Sequence, residues 1–306
     1  MGNPIISENF IRLLDARLRE VAEKEWDELP TMIPQVFRSI PSDGAWEEFF
    51  SVGAVGNFSA FSGKLQYGSI SPGYLNRIEP KEYAQGLVFE RKFLDDKKYA
   101  VMDDAAGALG EAAQRTRETF GAEMFANAFS SALTFQYSEE GVALCSDSHT
   151  TKSGASTSTG FDNAGTDALS ATSLAAARLA MRRFKGDIGQ RIVIEPDTLI
   201  VPDNLYDTAM EIVGTDKGLY SAEGTTNVQK GRFKVIPYLR LDDYDTNNWF
   251  LVDSKMMKKD LLWIDRIPFE TKTTVDFETF SVKFSGYFRS GCGFKGWRWI
   301  YGSAVS

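Results

Sequence analysis

The sequence is poor in the residues that carry most enzyme chemistry. Its 306 residues include one histidine, His149, and two cysteines, Cys145 and Cys292. Zinc sites, histidine-dependent triads and redox pairs need these types in clusters. His149 stands in a Ser/Thr/Gly-rich run, SDSHTTKSG, a poor setting for a general base. Walker loops, HExxH and GxSxG are missing, so no catalytic residue is assigned and no cofactor or metal is expected. A basic excess is also missing: 34 Lys and Arg stand against 42 Asp and Glu, a formal charge of −8. A dedicated nucleic-acid binder usually has the opposite balance. No run approaches the 18 consecutive apolar residues of a membrane span. The opening MGNPIISENF lacks the charged-then-apolar pattern of a secretory signal. Two cysteines and no visible signal fit a reducing cytoplasm.

The apolar share, 43%, and the charged share, 25%, are those of an ordinary globular chain. The length suits two domains or one large core with extensions. Residues 7–29 read as an amphipathic helix, with Ile11, Leu14, Leu18 and Val21 on one stripe and Pro30 beyond its end. Four bases and seven acids in that stretch exclude a basic arm for DNA, and the stripe is expected to pack on a neighbour in the same chain or another. Residues 95–131 hold the longest helical pattern, with Met102, Ala106, Leu109, Ala113, Phe120 and Met124 on one face. A continuous helix there would be about 55 Å long, against a radius of gyration of roughly 19 Å for a compact chain of this size. Gly107, Gly110 and Gly121 suggest a bend in it. A further helix is expected over 167–185, capped by Asp167 and closed by Gly186, with Arg182, Arg183 and Lys185 complementing its dipole. Short strands RIVIE and TLIVP, a helix over 203–213 and a strand-rich C-terminal third follow. Helices and strands come in blocks, which makes the class α+β.

Two stretches are irregular. Residues 146–166 are polar and of low complexity and read as a surface loop. Between Gly44 and Pro80 lie six glycines and seven aromatics: Trp46, Phe49, Phe50, Phe58, Phe61, Tyr67 and Tyr74. Glycine at this density opposes helix and aromatics favour strands, so the segment reads as a long hairpin. A two-stranded ribbon cannot bury that many rings by itself; an ordinary sheet in a compact core is the alternative.

Some motifs carry less than they promise. Gly291-Cys-Gly293-Phe-Lys-Gly296 fits G-x-G-x-x-G but has no room after it for a crossover helix, so close strand packing explains it better. Asp243, Asp245 and Asn247 resemble a calcium loop without its glycine and final glutamate, and a turn is expected. Lys283, Arg289, Lys295 and Arg298 lie among eight aromatics in 279–306, as on a single-strand-binding platform. The alternation of Val282, Phe284 and Gly286 with polar neighbours favours a sheet.

Three blocks taken together resemble the major head subunit of Mu-type tailed phages, within the Hong Kong 97 capsid fold. They are EYAQGLVFERKFLDDKKYAVMDD leading into GALGEAAQRTRETFGAEMF, then LAAARLAMRRFKGDIGQRIVIEPDTLIVPDNLYDTAMEIV, then NNWFLVDS with LLWIDRIPFE and the terminal aromatic block. The resemblance implies an N-terminal arm (1–43), an extended E-loop (44–80) lying across a neighbouring subunit, and a peripheral domain (81–186) whose spine helix is 95–131. It further implies an axial domain (187–253) with loop 214–232 near a symmetry axis, and return strands (254–306). Interface residues would be Trp46, Phe49, Phe58, Phe61, Lys64, Tyr67, Lys217, Tyr220 and Arg232. Some shells of this fold cross-link through an E-loop lysine; Lys64 holds that place, and the sequence offers no partner for it. About 40 residues precede the E-loop, so a scaffold is expected as a separate protein or a segment already trimmed.

The implied function is a major capsid protein assembling into pentamers and hexamers of an icosahedral head in the host cytoplasm. Its partners would be other copies, a portal, a scaffold, a decoration protein and double-stranded DNA held non-specifically, without a membrane. An acidic subunit is expected to grip duplex weakly. Other readings are an encapsulin-like nanocompartment, separated by its genomic neighbours, and a monomeric carbohydrate- or nucleic-acid-binding module, separated by gel filtration. A hydrolase lacks its catalytic set.

Overall fold

A computed structural model of the chain describes residues 7–305, apart from 62, 66, 68, 69, 71, 215–226 and 277, and excluding the side chains of 7–13 and Val52. In chain order the elements are α1 (Ser7–Glu28), α2 (Ile33–Val36), β1 (Arg38–Pro41), β2 (Glu47–Val52), β3 (Pro72–Ile78), β4 (Lys81–Phe89), α3 (Arg91–Asp95) and α4 (Tyr99–Ala126). Then come β5 (Gln136–Ser138), β6 (Ala164–Gly165), α5 (Ala171–Met181), β7 (Thr198–Val201), α6 (Tyr206–Gly214), β8 (Lys234–Pro237), β9 (Trp249–Val252), α7 (Ser254–Asp260), β10 (Leu261–Val275), β11 (Val282–Phe294) and β12 (Ile300–Ser303). They form three sheets, ordered β1-β10-β11-β4, β6-β12-β9-β7-β8 and β2-β3-β5. The α+β class holds.

The long helix joins two cores. Near its start, Met102, Ala106 and Leu109 of α4 pack with Leu14, Leu18 and Ala22 of α1 and with Phe89, Val282 and Phe284 of the four-stranded sheet. Near its end, Phe120, Met124 and Phe125 enter the main core with Phe250, Trp263 and Trp299. Phe125 meets the Phe250 and Trp299 rings edge-on at 5.5 and 6.3 Å. One rigid rod therefore fixes the two sheets relative to each other. It runs for 28 residues, about 42 Å, and is shorter than the 95–131 expected because α3 and a turn at Lys97, with φ of 55°, precede it.

The helix is continuous through all three glycines of α4, and each lies against a neighbouring element. A Cβ on Gly110 would stand 2.2 Å from the Ala22 carbonyl oxygen, so α1 crosses α4 at backbone distance. Leu14 and Leu18 of the α1 stripe thus pack within their own chain, helped by Arg17 Nε on Asp103 Oδ1 at 2.9 Å and Trp26 stacked on Phe269 at 4.9 Å.

Other expectations need correction. RIVIE forms no strand; only an isolated bridge joins Arg191 to Lys185. Ser170, not Asp167, caps α5: its hydroxyl accepts from Ser173 N at 3.1 Å. The helix ends at Met181, well before Gly186, because the chain turns there to pair Gly186 N with Gln190 O at 2.7 Å. Residues 146–166 form the expected surface loop, regular only at β6, and are pinned at three buried residues, His149, Phe161 and Asn163. Asn163 is fully buried, accepts from Ser146 N at 2.8 Å and donates to the Leu144 and Ile300 carbonyls. His149 is buried there too, stacked on Trp297 at 4.2 Å and bonded to Glu140. The buried polar groups satisfy one another, which holds the loop to the body.

Gly110→Ala is expected to force α1 off α4 and lower stability by about 1–3 kcal/mol, the usual effect of overpacking. Gly56→Ala, where a Cβ has nothing within 4 Å, should change it by less than about 0.5 kcal/mol. Urea unfolding of both variants checks this.

Candidate subunit interface

The hairpin β2–β3 is the part of the structure that its own chain leaves most bare. The strands pair from Glu47↔Ile78 to Val52↔Pro72, and β3 adds a short ladder to β5. Alternation along β2 sends Phe49 inward beside Ile78, Leu262 and Ile264, and Phe50 outward, where it is 68% exposed.

The root is held by buried amides. Gln136 Nε2 donates to Phe294 O at 2.9 Å and its Oε1 accepts from Phe294 N at 2.8 Å. Asn76 Nδ2 donates to Lys295 O at 2.9 Å. Two side-chain amides thus extend the hairpin's hydrogen bonding onto the end of β11. The glycines of the G-x-G-x-x-G run belong here: a Cβ on Gly293 would lie 2.5 Å from Ile78 Cγ1. Close approach, not a dinucleotide, explains that motif. Arg289 ties the entry and exit together, donating to Pro80 O and Ala45 O at 3.2 and 3.4 Å.

Beyond the root, residues 53–71 have no regular structure where described. Phe58 is fully exposed, and Phe61, Tyr67, Val55, Leu65 and Ile70 are exposed as well. Nothing would meet a Cβ within 4 Å at Gly56 or Gly63. A thin ribbon has no second layer on which to fold these side chains.

Of the nine residues singled out in the sequence, Phe58, Phe61, Lys64 and Tyr67 share this tip and are exposed. Trp46 is 47% exposed at the root, its ring under the Arg77 guanidinium at 4.1 Å. Phe49 is half-buried, with Lys295 Nζ 5.5 Å from its ring centre. Arg232 lies apart, exposed, its guanidinium on Gln229 Oε1 at 3.2 Å. Lys217 and Tyr220 fall outside the described residues. Sequence reasoning named Phe50 among the ribbon's aromatics without placing it at an interface, and it missed Val55, Leu65 and Ile70 at the tip and Asn76 and Gln136 at the root. The alternation along β2 carried the signal for Phe50; nothing local marks the amides, whose partners lie at the far end of the chain.

Burial pushes both cysteine thiols up, which leaves them protonated and unreactive. Among the described residues no group of three His, Cys, Asp or Glu is placed to hold a metal, and no helix is long and apolar enough to cross a membrane. The three acidic-loop residues form a plain turn, with Asp245 Oδ1 accepting from Asn247 N at 2.8 Å.

The sequence pattern of a family described as phage capsid protein matches residues 76–303. The chain belongs to that family. Solved capsids share its fold at low identity. The mature capsid of bacteriophage PhiM1 gives a TM-score of 0.57 at 12% identity, covering 91% of this chain and 88% of that one. The capsid of a native GTA particle gives 0.53 at 12%, covering 91% of each chain. A virus-like particle from Pyrococcus furiosus gives 0.53 at 11%, covering 94% and 98%. Comparison with curated protein sequences gives no match. The Hong Kong 97-type fold expected from the three sequence blocks is therefore the fold of this capsid protein.

Gln136→Leu strands both backbone groups of Phe294 and is expected to lower stability by about 2–4 kcal/mol. Urea unfolding measures the loss, and limited proteolysis should find cleavage moved from the tip toward 72–80.

Proposed function

We propose that this protein is the major capsid protein of a tailed phage, and that identical copies assemble into pentamers and hexamers of an icosahedral head around double-stranded DNA. The supporting observation is the row of exposed apolar side chains on a firmly rooted hairpin, in a chain of the phage capsid family. Residues 44–80 then act as the E-loop, handing those side chains to a neighbouring copy. Residues 1–43 are the N-terminal arm, 81–186 the peripheral domain with its spine in 95–131, 187–253 the axial domain with loop 214–232 toward the symmetry axis, and 254–306 the return strands. Further partners are a portal, a scaffold and a decoration protein, and assembly takes place in the bacterial cytoplasm.

The physics favours this use of the hairpin. Burying one large apolar side chain is worth about 1.5–3 kcal/mol, so several from one tip offset much of the freedom lost on association. Contacts that run head to tail close into rings when the rotation closes. Glycines flank the aromatics, which lets one sequence fit slightly different curvatures in rings of five and six. The net charge of −8 keeps the subunit from gripping a genome that has to be threaded inside. A second reading, an encapsulin-like shell around protein cargo, draws on the likeness to the Pyrococcus furiosus particle; the contents of purified particles, nucleic acid or enzyme, separate the two.

The test is to replace Phe58, Phe61 and Tyr67 together by serine. Because these rings are exposed, unfolding of the isolated subunit should move by less than about 0.5 kcal/mol, while closed particles seen by negative-stain microscopy for the parent disappear. A parent that stays monomeric under all assembly conditions, or a variant that assembles as well as the parent, contradicts the proposal.

A further inference from the structure

A cleft of about 340 Å³ lies between the linker after α1, the middle of α4 and the segment following β8. Leu29, Met32, Pro237 and Leu239 give it apolar walls, and α4 contributes Gln114 and Glu118, one turn apart. Gln114 is 3% exposed, and its Oε1 is buried without a hydrogen-bond partner. Glu118 is 8% exposed. Its carboxylate accepts from the Thr31 hydroxyl and from Met32 N at 3.2 Å, both neutral donors.

No cation among the described residues pairs with Glu118. Two arginines line the cleft with it, but Arg115 is turned to Glu111 at 3.8 Å and Arg240 to Asp243 at 3.4 Å, while Arg117 sits against Asp265 at 3.4 Å. A buried carboxylate without a counter-charge, beside a buried acceptor without a donor, matches a cationic donor. The apolar walls match a cation carried on an apolar stem, which is a lysine.

The exposed side chains of the hairpin tip supply one. Residues 53–71 contain a single charged residue, Lys64, followed by Leu65 and preceded at a short distance by Phe61. All three side chains are exposed. We infer that Lys64 of one copy enters this cleft on a second copy, its ammonium donating to the Gln114 amide oxygen and the Glu118 carboxylate while Leu65 covers the apolar wall. This deepens the E-loop reading above and rests on it.

The experiment is a double-mutant cycle read as the protein concentration at which particles form. Lys64→Ala and Gln114→Leu are each expected to raise that concentration about tenfold, the loss that follows removal of one partner of a desolvated polar contact. Combined, they should do no more than the worse single change, because they remove the same contact. Gln114→Leu should leave the urea midpoint of the isolated subunit unchanged or higher, since it deletes an unpartnered polar group; a loss of assembly is then not a loss of folding. Effects that multiply to about a hundredfold, or assembly unchanged in either single variant, overturn the pairing and leave the E-loop reading standing. A parent that never assembles overturns both.

Discussion

The structure turns on a hydrophobic surface with no place in its own molecule. A hairpin two strands thick buries one face at its root and has nothing behind its tip. Phe58, Phe61, Leu65 and Tyr67 stand in solvent, although the rest of the chain packs tightly enough to put rings such as Trp249, Trp263 and Trp299 wholly inside. Isolated exposed apolar residues are ordinary on protein surfaces; a contiguous group on one extension marks a contact surface.

The rest of the fold holds that extension in place. The long helix α4 contributes side chains to both large cores and so ties them together. The four-stranded sheet lies along it, and β11 ends where the Asn76 and Gln136 amides catch the hairpin. Hydrogen bonds to backbone at the root fix direction, while Phe58, Phe61, Leu65 and Tyr67 at the tip are exposed. Rigid root and unsatisfied tip are the two properties that a head-to-tail contact between identical copies needs.

Much of this was legible from the residues. The 3.6-residue period gave α1 and α4, and the glycine and aromatic density of 44–80 gave an extension without a core. The ordered family blocks supplied the fold, which no local pattern could. What failed had physical reasons. Gly110 reads locally as a weak point because propensity knows nothing of α1 pressing on it. RIVIE has the composition of a strand, yet its residues find only one bridge. The polar run 146–166 is the surface loop its composition implies, but its anchors, Asn163 and His149, show only once their partners are in place. The root amides and the Gln114–Glu118 cleft were invisible for the same reason: each is built from residues far apart in sequence.

The central claim is that the exposed apolar side chains of the segment 53–71, Val55, Phe58, Phe61, Leu65, Tyr67 and Ile70, gain from other copies the burial they lack in their own. Hydrogen–deuterium exchange of this segment, compared between the isolated subunit and assembled particles, tests it most directly. Rapid exchange in the subunit that becomes strongly protected in particles, with the α4 amides protected in both, is the predicted result. Protection already complete in the isolated subunit, or unchanged exposure in closed particles, would contradict the account.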